Sequence, residues 1–171
     1  MANADAPRGL WPIRHDLGAE IKTQEHIVTT GETIYKGDLV SAVAAGTVTA
    51  SSVDDGVIVV GVAAHYVDDS GSAGGKKILV YDDPYIVFGV QADSGTSPTA
   101  ADRYATANHV ATTGNTTTKI SKHELDASDI GTGGQLEILG LVNDPSNTWG
   151  EHVNLEVRIA EHKRNAAVAG V

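Results

Sequence analysis

Seven histidines are the side chains best suited to chemistry in this chain, and their spacing decides what they can do. His15, His26, His65, His109, His123, His152 and His162 are scattered, and no two fall at the short separations of local zinc motifs. His123-Glu124-Leu125-Asp126-Ala127 begins like the metalloprotease helix signature, but Ala127 stands where the second histidine belongs. Hydrogen-bonded or surface histidines are therefore expected, with no metal site. The doublets Asp54-Asp55, Asp68-Asp69 and Asp82-Asp83 fall where turns belong and lack the Asp-x-Asp-x-Asp-Gly ladder of a calcium loop. Ser70-Gly71-Ser72-Ala73-Gly74-Gly75-Lys76-Lys77 has Ser70 in place of a phosphate loop's first glycine and no hydroxyl after the lysine. No Gly-x-Ser-x-Gly elbow offers a nucleophile, and without cysteine there is no thiolate and no disulfide. Asn115-Thr116-Thr117 is a formal glycosylation sequon, relevant only to a secreted chain. Neither enzyme activity nor a cofactor is expected.

The elements that would carry these residues are strands. Lys76–Tyr81 and Tyr85–Gln91 are apolar runs flanking Asp82-Asp83-Pro84, which predicts two strands joined at a tight turn. Ile78, Leu79, Val80 and Tyr81 all call for cover, so a second sheet or another subunit must lie on each side. Glu32–Tyr35, Leu39–Val43, Thr47–Ala50 and Val57–Val67 are further strands, with a bend or bulge at Gly61. Ser97 and Pro98 predict a short helical turn near 98–104. Thr-rich strands are expected around His109–Thr113 and Thr117–His123, joined at Gly114-Asn115. Gln135–Val142 reads as a buried strand. In the last strand Val153, Leu155, Val157 and Ile159 alternate with Asn154, Glu156 and Arg158, giving one covered and one wet face. Short strands between Gly, Asp and Ser turns, with little helix, predict an all-β barrel or sandwich over residues 21–160.

Residues 1–20 show no periodicity, yet Leu10-Trp11-Pro12-Ile13-Arg14 is too apolar for an idle tail. Fixing such a segment costs roughly 1–2 kcal/mol per residue in backbone entropy, so it is expected to be an extended arm that orders against a neighbouring subunit. The alternative is a frayed terminus. Residues 161–171 are expected to form a mobile tail.

Among 171 residues, 12 Lys and Arg face 22 Asp and Glu, a formal charge of −10 that repels nucleic acid. No apolar run approaches the ~18–20 residues of a membrane span. The start lacks a signal peptide's pattern, so synthesis in a cytosol is expected. An apolar fraction of 41% built mainly from Ala and Val, with one Phe and two Trp, buries little area per side chain and favours self-association.

The order Gly37-Asp38-Leu39-Val40, Gly46-Thr47-Val48, Asp55-Gly56, Val60-Gly61-Val62-Ala63-Ala64 and then Ile78–Tyr81 and Tyr85–Val90 resembles the lambda-type decoration (cement) proteins of tailed-bacteriophage capsids. The resemblance implies a homotrimer on local three-fold axes of the capsid exterior, made in the bacterial cytoplasm, whose arms join capsid strands and clamp neighbouring major-capsid subunits. Arg8, Leu10, Trp11, Pro12, Ile13 and Arg14 would then contact the capsid, with Trp11 as apolar anchor and the two arginines pairing with capsid carboxylates. Leu136–Ile159 exceeds the lambda pattern. It leaves a lambda-like trimer and a larger β-tulip type both open, and is expected to complete the same barrel. From another class of function, Tyr66, Tyr81, Tyr85 or Trp149 would serve as stacking platforms for host glycans, although aromatics make up 5% of the chain.

Overall fold

A computed structural model describes residues 3–53, 57–71, 74–131 and 133–164. The doublet Asp54-Asp55 with its Gly56 turn, Ser72-Ala73 of the glycine-rich loop, Thr132 and the tail 165–171 lie outside the described residues. The strands are Trp11–His15 (β1), Gln24–Ile27 (β2), Thr33–Ile34 (β3), Leu39–Ala42 (β4), Val48–Ala50 (β5), Val59–Ala63 (β6) and Val67–Asp68 (β7). Lys77–Tyr81 (β8), Ile86–Gln91 (β9), Thr106–Ala107 (β10), His109–Val110 (β11), Glu124–Leu125 (β12), Leu136–Leu141 (β13) and Asn154–Ile159 (β14) complete them. Helix is confined to single 3-10 turns at Ala100–Asp102 and Ala127–Asp129. The fold is all-β.

Two five-stranded antiparallel sheets dominate, ordered β1-β9-β14-β13-β10 and β2-β8-β6-β4-β5, with small ribbons β3-β7 and β11-β12. The larger core lies between the sheets. It joins Ile86, Phe88, Val90, Ile138, Leu155 and Val157 of the first to Leu39, Val59 and Val62 of the second. A second core fills the other face of the second sheet with Val28, Ile34, Val40, Val48, Val60, Ile78 and Val80. Successive residues of β4 and β6 therefore enter different cores, which is why both strands are apolar without alternation. The second sheet curls until Val28 forms a parallel bridge to Val48, yet it does not close into a barrel.

The structure corrects the reading of the 76–91 stretch. β8 and β9 are strands, but they belong to different sheets, so Asp82-Asp83-Pro84-Tyr85 is a corner instead of a hairpin turn. Each strand already has a partner on both edges, β2 and β6 for β8, β1 and β14 for β9. Neither has an edge left for the other. Cover is also less complete than its apolar residues suggest. Ile78 and Val80 are buried, whereas Leu79 faces outward and is 42% exposed.

Other boundaries shift for local reasons. The helical turn is capped by Thr99 in place of Ser97, since the Thr99 amide and hydroxyl both donate to Asp102. The Thr-rich hairpin pairs His109 with Leu125 and Val110 with Glu124, so its second strand begins after His123 instead of spanning 117–123. The tail expected from 161 is tied down through Arg164. Val59 donates to the Glu161 carbonyl (2.9 Å), Lys163 donates to the Val59 carbonyl (2.8 Å), and His162 between them is buried.

Gly61 marks a bulge, because Val40 pairs with Gly61 and Ser41 with Val59, leaving Val60 unmatched. A Cβ at Gly61 would strike the Tyr81 carbonyl of neighbouring β8. Gly61→Ala is expected to cost about 1–3 kcal/mol, the usual penalty for overpacking, read as a lower urea midpoint with an unchanged slope.

Candidate functional site

The N-terminal segment is the candidate partner-binding element, and it is built onto the domain itself. The chain crosses the Lys36-Gly37 turn, where Leu10 donates to the Gly37 carbonyl (2.8 Å). Gly37 has φ +94°, and a Cβ there would crowd the Arg8 carbonyl at 2.9 Å. Leu10 is 3% exposed and belongs to the main core. Trp11 pairs with Gly89 of β9, and its indole occupies the space a Cβ at Gly89 would need. The Arg8 guanidinium stacks on the Trp11 ring, 3.7 Å from its centroid. Pairing skips Ile13, a bulge, and resumes with Arg14 opposite Val87.

Arg14 pairs with Glu156 and, at 3.5 Å, with Asp16. His15 is buried, its Nδ1 accepting from the Leu17 amide and its Nε2 lying 3.4 Å from Asp83.

These contacts correct two expectations. The segment does not need a neighbouring subunit to order, because Leu10 is buried in the domain's own core and β1 pairs along β9 of the same chain. Leu10 faces inward, Trp11 lies on Gly89, and Arg8 and Arg14 have partners within the chain. What remains at the surface is the outer edge of β1, which is the last strand of its sheet, with half-buried Trp11, Pro12 and Ile13 along it. Leu17 (69% exposed) and Tyr85 extend the apolar surface at its end, joined by the Asp16 amide donating to the Tyr85 carbonyl.

The four aromatic residues considered for glycan stacking do not assemble. Tyr66 rests against Tyr35 (centroids 5.3 Å apart), with the Lys119 ammonium 4.6 Å from its ring. Tyr81 and Trp149 pack on the main core. Tyr85 neighbours His15. Among the described residues no two of the four rings touch.

The histidines hold a buried network that their sequence spacing conceals. His109 and His123 lie with ring centroids 4.7 Å apart. His109 Nδ1 is 2.5 Å from the Gln135 side-chain oxygen, and Nε2 is 3.2 Å from the Ser51 carbonyl. His123 Nδ1 accepts from the Leu39 amide, and Nε2 faces Asp38 at 3.4 Å. Both imidazoles thus bind partners that join separate parts of the fold. Burial, followed by the neighbouring His109, pushes His123 down to about 3. Burial pushes Asp38 up to about 6, against the opposing pull of the Ser121 hydroxyl and Tyr35 amide. Burial also lowers His162 to about 4.

The aspartate doublets divide between two duties. Asp68 accepts from the Ser70 amide and Asp83 from the Tyr85 amide, as turn formers. Asp82 is buried beside His26 and Arg164. For metal ligation, Asp5, Glu124 and His152 form the group with suitable spacing among the described residues. No sequence motif announces it, since its members come from three distant segments.

No protein-family model matches the chain, and no match to it was found among curated proteins.

Acid should destabilise the fold. Between about 4 and 6.5 the unfolded chain binds protons at His123 and His162 that the folded chain refuses, so stability falls as pH falls through that window. Asp38 acts oppositely between 3.8 and about 6, because its folded form keeps a proton the unfolded form has lost, and this offsets one histidine. His109, also lowered by burial, adds to the loss. The thermal midpoint should drop from pH 7 to 4.5. In His162→Asn, whose Oδ1 can still accept from the Arg164 amide as Nδ1 does, the drop should be smaller, because one proton's share of the linkage is gone. An identical pH profile for variant and parent would reject the assignment.

Proposed function

We propose that the protein is a structural virion component that decorates the outside of a tailed-phage capsid as a homotrimer and stabilises it by clamping neighbouring major-capsid subunits. The observation that carries this reading is the placement of residues 8–17. Within them Trp11–His15 forms an edge strand of a sheet, with Trp11, Pro12 and Ile13 partly exposed along it and Leu17 exposed just beyond. Such an edge accepts an added strand from a partner, main-chain hydrogen bonds supplying affinity and flanking apolar side chains supplying fit. The resemblance in the order of turns and strands from Gly31 to Gln91 supports the same reading. Gly37 and Gly61, two glycines that carry it, both sit at close backbone approaches.

Other features fit a cement role. A formal charge of −10 suits an exterior position, away from packaged genome. On the face of the second sheet that carries Tyr81, past the edge of the main core, Ile27 and Leu79 are exposed beside the Glu25–Lys77 ion pair, an apolar surface suited to another copy of the chain. Three linked copies multiply a modest contact into tight retention by avidity. The arm's role also changes in kind, with the domain holding the strand rigidly so that its outer edge is presented already ordered.

The test uses shells of the phage that encodes the chain. In solution the protein should sediment at three times its 17.7 kDa mass, and it should co-sediment with shells. Ile13→Asp, on the outer edge and away from the core, should weaken shell binding at least tenfold with a nearly unchanged thermal midpoint. Removing residues 3–14 would also remove Leu10 from the core, so the point variant is the sharper probe. A monomer that ignores shells, or undiminished binding by Ile13→Asp, would defeat the proposal. Glycan-array binding without shell binding would favour a carbohydrate-recognition role.

A further inference from the structure

We propose that Asp5, Glu124 and His152 form a binding site for a divalent ion of the zinc class, which fastens the N-terminal segment to the body of the domain. One ligand atom from each residue lies within 4.8 Å of the others. Ligands around a tetrahedral zinc ion stand roughly 3.4 Å apart, from metal–ligand distances of about 2.0–2.1 Å, so small side-chain rotations complete the geometry.

The backbone beneath these ligands is held by one buried side chain. Gln91, at the end of β9, accepts from the Ala6 amide at Oε1 (2.8 Å) and donates from Nε2 to the Ala4 carbonyl (2.9 Å). Nε2 also donates to the carbonyl of His152 (3.0 Å). The residues flanking Asp5, and His152 itself, thus hang on a single amide. Glu124 precedes Leu125, which bridges to Ala92, the residue after Gln91. The start of the segment is fixed too, because Asn3 donates to the carbonyls of Thr148 and Glu151. A site whose ligands are positioned by a rigid outer layer loses little entropy on binding.

One observation points to a missing partner at this place. His152 Nδ1 is itself buried and has no hydrogen-bond partner, the Asp5 carboxylate being 3.9 Å away. A buried nitrogen is costly to leave unpaired, and a metal ion would satisfy it. One imidazole nitrogen with two carboxylates is a mixed donor set that suits zinc, whereas calcium and magnesium prefer all-oxygen surroundings. Three protein ligands leave a fourth position for water.

The site stands independently of what the outer edge of β1 binds. Its test is calorimetric titration of chelator-treated, tag-free full-length protein with zinc chloride, with calcium chloride as control. One equivalent of zinc should bind, raise the thermal midpoint, and slow amide exchange in residues 3–10. His152 has φ +54°, a backbone conformation that Asn tolerates, so His152→Asn removes the imidazole without straining the chain. His152→Asn and Glu124→Gln should each weaken zinc binding at least tenfold while keeping the metal-free midpoint. No uptake by the parent protein at millimolar zinc would overturn the site. So would equal uptake by parent and variants, or an equal response to calcium.

Discussion

All six residues of β9, from Ile86 to Gln91, are buried. Such a strand must be covered on both faces and paired on both edges, and much of the architecture follows from meeting that demand. Ile86, Phe88 and Val90 enter the core between the sheets, while the opposite face carries Val87, Gly89 and Gln91. Trp11 covers Gly89, Gln91 is satisfied by the backbone at residues 4, 6 and 152, and β14 and β1 take the two edges. The N-terminal segment is therefore part of the solution to a packing problem that begins eighty residues later in the chain. That dependence also makes β1 one of the sheet's two edge strands.

The second sheet solves the same problem differently. Its central strands divide their residues between two cores, and its rim bends round until Val28 reaches Val48. Polar side chains then stitch the two sheets together. Gln135, at the start of β13, meets His109, which reaches the Ser51 carbonyl just beyond β5, while Asp38 and His123 abut the start of β4. Beyond β14 the chain crosses to β6 through residues 161–163. Buried imidazoles kept neutral are what such joints require, since a charged ring there would need a counter-ion in a medium of low dielectric. The structural histidines and the acid sensitivity of the fold share that origin.

The protein combines an edge strand, a formal charge of −10 and small exposed apolar patches. The segment's cation–π stack and ion pairs lie within the chain, so its ordering cost is met on folding, and the proposed partner would meet an element already in place. The Asp5–Glu124–His152 cluster sits at the root of that element and would reinforce it. Cement function by a strand edge and a metal-fastened root are thus separable ideas that act on the same segment.

The amino-acid sequence by itself determined the all-β class, the positions of most strands, the bulge at Gly61 and the alternation of β14. These depend on local turn chemistry and period-two patterning, which act over a few residues. The tertiary structure decided where each strand is paired. Asp82-Asp83-Pro84 has the composition of a hairpin turn and becomes a corner, because the free edges of β8 and β9 are claimed by distant strands. Leu10-Trp11-Pro12-Ile13-Arg14 announced a need for cover, but its composition could not distinguish a neighbour's surface from the chain's own Gly89 and Gly37. His109, His123 and Asp38, and likewise Asp5, Glu124 and His152, carry no motif spacing, since each group is assembled from segments far apart in the chain. Burial of that kind is a property of the packed chain, set by which surfaces exclude water once the sheets have met.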